Sequence, residues 1–445
     1  MTERAGGSDV QNTETWATYS PIRPPGNENE NRLDRGDYLI SGFKFFSSAT
    51  DADVALLLAK TPSGKLSTFL APLRRTILQN GKEEEVSNGI RIHRLKNKLG
   101  TKELPTAELE LFNTRAHLVG ELDKGVQTIA PLLNVTRAQT FIGSLSGWRR
   151  AISIAKGFAS TRTTVGEPLW LIPMHLRVLS EMECKHRAGM ELGFFTIAVM
   201  DLVENENSPN SPHMSDRHLG LSGHLSHLPK SGHEANIIFR VLTPLSKAVI
   251  SKISITGIQE CQEALGGVGY MDEADEPEVN VSRILRNSTV NSIWEGTTNV
   301  LASECIRYLT RGENMVVFGG WVERDLPLDE KKLRTAWNAF KMKLGALEKE
   351  MALADARRAM FTLAWIVCGI LLVLDAERDG EGVTGEVSRR WVDGEVGVGD
   401  AVWGDVVRSK GEIVGEETIR WDCRIAWGVD LPGSGAAKGH RSMKL

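Results

Sequence analysis

A carboxylate that could move a proton is Glu295, in the run Asn291-Ser292-Ile293-Trp294-Glu295-Gly296-Thr297-Thr298-Asn299. A carboxylate set beside an aromatic ring can be desolvated, and desolvation lifts a glutamate toward the pH at which it acts as a general base. The same letters have a second reading. Ser292-x-x-Glu295 is a capping box, in which the carboxylate bonds back to a helix N-terminus. The opening Thr2-Glu3-Arg4-Ala5-Gly6-Gly7-Ser8-Asp9 is a turn of small residues, hydroxyls and backbone N–H groups that permits close approach of a ligand, or is a solvent loop. Leu265-Gly266-Gly267-Val268-Gly269-Tyr270 is a second glycine turn, but not G-x-G-x-x-G, so no Rossmann fold follows from it.

Other groups point to less. His213, His218, His224, His227 and His233 cluster in a polar stretch, at spacings that match no standard metal site, and read as a surface loop with no metal. The cysteines Cys184, Cys261, Cys305, Cys368 and Cys423 are odd in number and far apart, which argues against a disulfide framework and for a reducing, intracellular setting. A net charge of -4 gives no global attraction to nucleic acid or anionic membrane. The start of the chain shows neither a signal nor a transit peptide. Met443-Lys444-Leu445 resembles the peroxisomal S-K-L address only loosely, so mitochondrial, peroxisomal and cytoplasmic locations all stay open. The apolar run Ala359 to Leu374 is short of the roughly 20 residues that span a bilayer and reads as a buried helix.

The elements that must hold these groups change character along the chain. Tyr38 to Phe46, Val54 to Leu58, Leu66 to Leu70, Ile90 to His93 and Ala107 to Phe112 read as strands, with no helical pattern between them, so an antiparallel β domain over 1–118 is expected. Residues 123–160, 168–205, 242–264 and 292–310 carry apolar positions at helical spacing, which predicts a four-helix bundle over 119–312. A helical extension over 313–376 follows. From Glu377 to Leu445 the chain is Gly-rich with no sustained period, and is expected to be disordered or a product of faulty translation. The class is α+β.

Taken in order, these segments resemble the acyl-CoA dehydrogenase family. The opening resembles its T-E-x-x-x-G-S-D motif, and Gly42-Phe43-Lys44-Phe45-Phe46-Ser47-Ser48 resembles G-x-K-x-W-I-T, with Phe46 for the Trp and Ser48 for the Thr. Lys98-Leu99-Gly100, Val119-Gly120-Glu121 with Lys124-Gly125, the G-G-x-G-[FY] turn at Gly266 and the [YW]-E-G-[TS] segment at Glu295 complete the series. Arg137 and Arg162 fall where the family places a substrate-side arginine and a flavin-pyrophosphate arginine; a planar charged fork suits phosphate oxygens. On its helix alone, Arg137 reads equally as a solvated or salt-bridged residue. Where the family usually carries Gln before the glycine turn, this chain has Glu263, and a carboxylate near a pyrophosphate is unfavourable. The N-S-I-W-E-G variant, the G-G-S-D-V opening and the paired Phe-Phe strand are closest to the alkylation-response AidB-like subgroup, and the resemblance covers residues 1 to about 312.

The resemblance implies FAD as cofactor and α,β-dehydrogenation of an acyl-CoA thioester, with Glu295 as base. It implies substrate contacts from Ser8, Ser48 and Arg137. It implies flavin contacts from Thr2, Gly7, Ser8, Phe46, Ser47, Ser48, Arg162, Gly266, Gly267, Trp294, Gly296, Thr297 and Asn299. An electron-transfer partner or oxygen would reoxidise the flavin, and the bundle would support a dimer or tetramer. Family members carry a helical domain ahead of the T-E motif, so this polypeptide alone is expected to bind FAD poorly, as an inactive fragment of the enzyme would. The AidB-like subgroup is linked to DNA protection, and residues 331–358 carry eight Lys/Arg against three Asp/Glu, a basic segment that could meet phosphates.

Overall fold

The computed structural model describes residues 1–7, 9–22, 33–205, 227–380, 382–399, 402–407 and 415–432. The chain divides into two compact units, Met1–Thr136 and Arg137–Leu445.

The first unit is built on β1 (Trp16–Tyr19), β2 (Tyr38–Ser48), β3 (Val54–Lys60), β4 (Leu66–Pro72), β5 (Arg74–Gln79), β6 (Lys82–Ser87), β7 (Ile90–Leu95) and β8 (Thr106–Val119). The main sheet runs β2-β1-β3-β4-β8-β7, and a further pairing of β2 with β8 closes it on itself. Its pairings are antiparallel except for a single parallel register of β1 on β3, at Trp16 and Lys60. Closure protects the strand edges and encloses a small core of Ala17, Ile40, Leu57, Ala59, Phe69, Ala71, Leu111 and Ala116. The expected strands are present, and β1 and the β5–β6 hairpin are additions. That hairpin turns at Asn80-Gly81, with φ of 55° and 76°, the pair that favours a two-residue turn.

In the second unit, α1 (Gly125–Thr161, here from Arg137 onward), α2 (Pro173–Asn205), α3 (Gly232–Ala264), α4 (Val281–Ser288) and α5 (Thr298–Leu309) form the bundle. They are followed by α6 (Asn314–Asp325), α7 (Lys331–Ala346), α8 (Lys349–Ala354), α9 (Ala356–Asp379), α10 (Gly382–Val392) and α11 (Glu416–Trp427). By length and composition α3 and α9 could each cross a membrane, but 83% and 78% of their most apolar windows are buried inside the protein. The run from Ala359 is thus a core helix, packed against α2, α3, α5 and α7.

The stretch beyond Glu377 needs correction. Its composition predicts disorder, whereas the structure has α10 and α11 in it, packed on α9 and α2. Their signal is weak in sequence because α10 holds the helix-poor residues Gly382, Gly385 and Val392, and because one charge does much of the joining. Arg390 is fully buried. Its guanidinium donates to Glu386 at 2.8 Å, to Asp422 of α11 at 2.6 Å and to Ser180 of α2 at 3.1 Å. Residues 433–445, including Met443-Lys444-Leu445, lie outside the described residues.

Candidate active site

In the first unit the residues of interest lie on β2. Side chains along a strand alternate faces, and that alternation would put Phe46 on the side of Lys44. A β-bulge intervenes. The register against β8 steps from Lys44↔Leu109 to Ser47↔Ala107, so β2 spends one more residue than its partner. The bulge turns Phe46 outward, where it is 47% exposed, while Lys44 stays buried. Ser48 stands on the exposed side with Phe46, its Oγ 3.1 Å from Thr106 Oγ1. Ser47 is buried and its hydroxyl has no partner among the described residues, so on the exposed side only its backbone is available.

The opening turn is fastened to this strand. Thr2 N–H donates to Phe46 O at 2.9 Å, and Thr2 O accepts from Phe45 N–H at 2.8 Å and Phe46 N–H at 3.0 Å. Below it, Glu3 is buried against Lys44, Nζ to Oε1 at 2.5 Å, and accepts from Thr15 Oγ1 and Glu14 N–H, both at 2.5 Å. Gly7 is exposed. Ser8 lies outside the described residues. Lys96 sits over the Phe45 ring at 3.2 Å and near the Phe46 ring at 4.8 Å, and is tied to Glu108 at 2.5 Å.

In the second unit Glu295 is at an elbow. No capping box forms: Ser292 Oγ donates to Thr289 O at 3.1 Å, and α5 starts only at Thr298, with Thr297 as its N-cap. The backbone at Glu295 is left-handed, φ 55°, and Gly296 follows at φ 104°, where a Cβ would lie 2.7 Å from Leu301. A glutamate is uncommon at positive φ, so the surroundings must impose it. Lys247 of α3 donates to the carbonyls of Trp294 and Gly296, the latter at 2.6 Å, and Arg137 of α1 reaches Glu295 O from Nε at 3.4 Å. Arg137 is itself held by a bidentate pair with Glu304, both bonds 2.9 Å. Asn291 donates to Ser144 Oγ at 2.9 Å, closing the turn from the other side. Glu295 is half-buried and Trp294 is 38% exposed. Thr297 and Asn299 are exposed at the start of α5, and Thr297 makes no side-chain cap bond.

Lys247 was not singled out in the sequence. Its signal is a lone charge in the otherwise uncharged Val241–Ile250 stretch of a helix too buried for its ammonium to reach water.

Arg162, Gly266 and Gly267 line one cleft of about 1370 Å³ in the second unit. Gly266 has φ 63°, and a Cβ on either glycine would meet open space, so backbone is presented to the cleft. The arginine is exposed. Glu260, Glu263, Glu273, Asp275 and Glu276 line the same cleft, which makes it acidic on balance. His175, also there, is pushed below its ordinary value by burial and adds little positive charge at neutral pH. Thus the structure joins Thr2 with Phe46, puts Ser48 on the same side of β2 as Phe46, joins Arg137 with Glu295, and sets Arg162 with Gly266 and Gly267.

Of the histidines, His213, His218 and His224 lie outside the described residues; His227 Nδ1 is 3.4 Å from Asp325 Oδ1, and His233 is exposed. No group of three metal-ligating side chains occurs among the described residues. The five cysteines are free and buried.

Residues 1–114 match the family described as acyl-CoA dehydrogenase, middle domain, and residues 225–310 match acyl-CoA oxidase, C-alpha1 domain. The chain is 34% identical over 400 residues to acyl-CoA dehydrogenase family member 11 of Caenorhabditis elegans, covering 84% of this chain and 57% of that one. It is 30% identical over 311 residues to the putative acyl-CoA dehydrogenase AidB of Escherichia coli K12, covering 70% and 48%. The chain thus spans about half the length of the curated relatives it matches. In structure it is similar to Caenorhabditis elegans ACDH-11 in complex with C11-CoA, with a TM-score of 0.71 at 31% identity over 90% of this chain and 64% of that one.

Proposed function

Because the chain belongs to the acyl-CoA dehydrogenase family, we propose that it removes hydrogen from the α and β carbons of an acyl-CoA thioester, with Glu295 taking the α-proton and FAD as cofactor. The observation that carries the reading is the elbow at Glu295. A base works when its carboxylate leaves the backbone from a fixed point, and here two buried or half-buried cations hold the carbonyls on and beside that residue. C11-CoA in the Caenorhabditis elegans structure supports a thioester of coenzyme A as the substrate class.

The residues present fit a flavin at its ring end. Phe46 offers an exposed aromatic face and Ser48 a hydroxyl on the same side of β2, with the Thr2 backbone next to them. Thr297 and Asn299 lie at the first turn of α5, whose N–H groups suit polar or anionic atoms. In the first unit, exposed Gly7 joins Thr2, Phe46 and Ser48 in this reading, while Ser8 lies outside the described residues. For the pyrophosphate, Arg162 with the backbone at Gly266 and Gly267 is the matching group, opposed by the carboxylates around it. Bound FAD would accept the β-hydrogen as hydride. Trp294 and Glu295 remain partly open in the second unit, so the exclusion of water over the base falls to what binds there.

Reoxidation by an electron-transfer protein or by oxygen, and assembly into a homo-oligomer through the helical unit, belong to the same reading. The DNA-associated alternative draws less support. Lys332, Lys341 and Lys343 of the basic segment are engaged with Asp393, Glu323 and Asp405. The test is anaerobic titration of the FAD-loaded chain with acyl-CoA thioesters of graded length, following the flavin's visible absorbance. Bleaching in the wild type that Glu295→Gln abolishes while FAD stays bound is expected, whereas a wild-type chain that loses its FAD on gel filtration would favour the inactive-fragment alternative. Bleaching of Glu295→Gln at the wild-type rate would remove Glu295 as the base.

A further inference from the structure

Lys247 lies mid-way along α3 among Leu242, Leu245, Ala248 and Val249, and no part of it reaches solvent. A buried ammonium is unfavourable unless acceptors meet it, and an apolar side chain of the same volume would serve packing as well or better. The acceptors it finds are the carbonyls of Trp294 and Gly296, one on each side of Glu295. Arg137 takes the carbonyl between them. The left-handed backbone at Glu295 is what allows one ammonium to reach both flanking carbonyls.

We propose that Lys247 is a positioning residue of the proton-transfer site: by clamping the carbonyls of Trp294 and Gly296 it holds the elbow from which Glu295 reaches substrate. The inference rests on the reading of Glu295 as base. The groups facing Lys247 agree with the assignment. The Glu295 carboxylate favours its charge, while the Arg137 guanidinium opposes it and is in turn paired with Glu304. A charge-assisted bond to each carbonyl is stronger than a neutral amine would make.

The variants are Lys247→Met, which keeps the length and removes both donors, and Lys247→Arg, which keeps the charge, each made in the full chain and loaded with FAD. Two readouts are taken: backbone hydrogen exchange by mass spectrometry over residues 291–300, and the kcat and KM of acyl-CoA dehydrogenation. For Lys247→Met we expect exchange in that segment to rise at least about tenfold, with flavin content kept. A loss of about a hundredfold in kcat with KM little changed goes with it, the scale that a misplacement of about 1 Å imposes. Lys247→Arg restores most of both. Wild-type exchange and kcat in Lys247→Met overturn the proposal. If Lys247→Met does not fold, Lys247→Gln carries the same comparison. A Glu295→Gln variant as active as wild type would defeat the base assignment, and with it Lys247's part in the reaction. The exchange over 291–300 would still decide whether Lys247 holds the turn.

Discussion

Glu3 and Lys44 form a buried ion pair, Oε1 to Nζ at 2.5 Å, between the opening turn and the middle of β2. The two residues come from distant segments of the sequence, and their pairing stands next to the backbone bonds of Thr2 with Phe45 and Phe46. Burial pushes the Glu3 carboxyl up, but the hydrogen bond and charge of Lys44, with Thr15 and the Glu14 amide, outweigh it and hold Glu3 below its ordinary value of 4.5.

Glu3→Gln leaves Lys44 buried without a counter-charge. A loss of about 3–5 kcal/mol from the first unit is expected in urea denaturation, the scale for breaking a buried pair from one side. The sign with pH follows from the lowered carboxyl. Glu3 contributes its stabilisation above about pH 4.5, and the contribution is lost as pH falls through its lower folded value. The acid limb of stability against pH should therefore flatten in Glu3→Gln, and an unchanged limb would disprove the assignment.

Lys247 gives the opposite sign. Burial pushes it down to about 8 from an ordinary 10.5; Glu295 raises it and Arg137 lowers it. Below about pH 8 the folded and unfolded states both carry the proton, and the unfavourable buried charge is fully present. Between about 8 and 10.5 the unfolded state binds more protons, so this group makes stability rise with pH. The clamp weakens over the same range, so kcat should fall above about pH 8. That basic limb should be absent from Lys247→Met.

Glu263→Gln removes one carboxylate from the cleft that holds Arg162 and the glycine turn. Less repulsion toward a pyrophosphate should tighten FAD binding by about twofold to fivefold, a modest gain because the carboxylate is exposed and screened. Arg162→Ala should weaken it. Fluorescence titration of FAD measures both, and unchanged affinity in the two variants would place the pyrophosphate elsewhere.

Phe46→Ala removes the outward aromatic face of β2. About fivefold weaker FAD binding is expected, from roughly 1 kcal/mol of lost ring stacking. Melting of the apoprotein should change little, since Phe46 is 47% exposed.

Arg390→Leu leaves Glu386 and Asp422 without their buried partner. A loss of about 3–5 kcal/mol is expected, and residues 382–432 should become the first site of proteolysis. Cleavage at the wild-type rate would show that apolar packing alone holds α10 and α11.

Much of the fold can be read from local patterns, and two of the misses share one cause. β8 announces itself by alternation and α2 and α3 by helical period, while β2, β3, β4 and β7 are legible as short runs bounded by turn residues. The capping-box reading of Ser292 and Glu295 failed at a turn whose shape is imposed by Lys247, some fifty positions earlier in the chain. Arg390 likewise joins α10 to Asp422 and Ser180, contacts that no window of sequence contains. The β5–β6 turn is a different case, since Asn80-Gly81 was a local signal left unread.

The bulge in β2 also gives the strand one residue to spare. Upstream of it Lys44 is buried and Phe43 exposed; downstream Ser47 is buried and Phe46 and Ser48 are exposed. Deleting one residue at 45 or 46 would remove the bulge yet leave Ser47 opposite Ala107, buried as before, with Ser48 exposed. The spare residue is thus a spacer: it lets the stretch before Lys44 and the stretch after Ser47 each keep its own buried side against one partner strand.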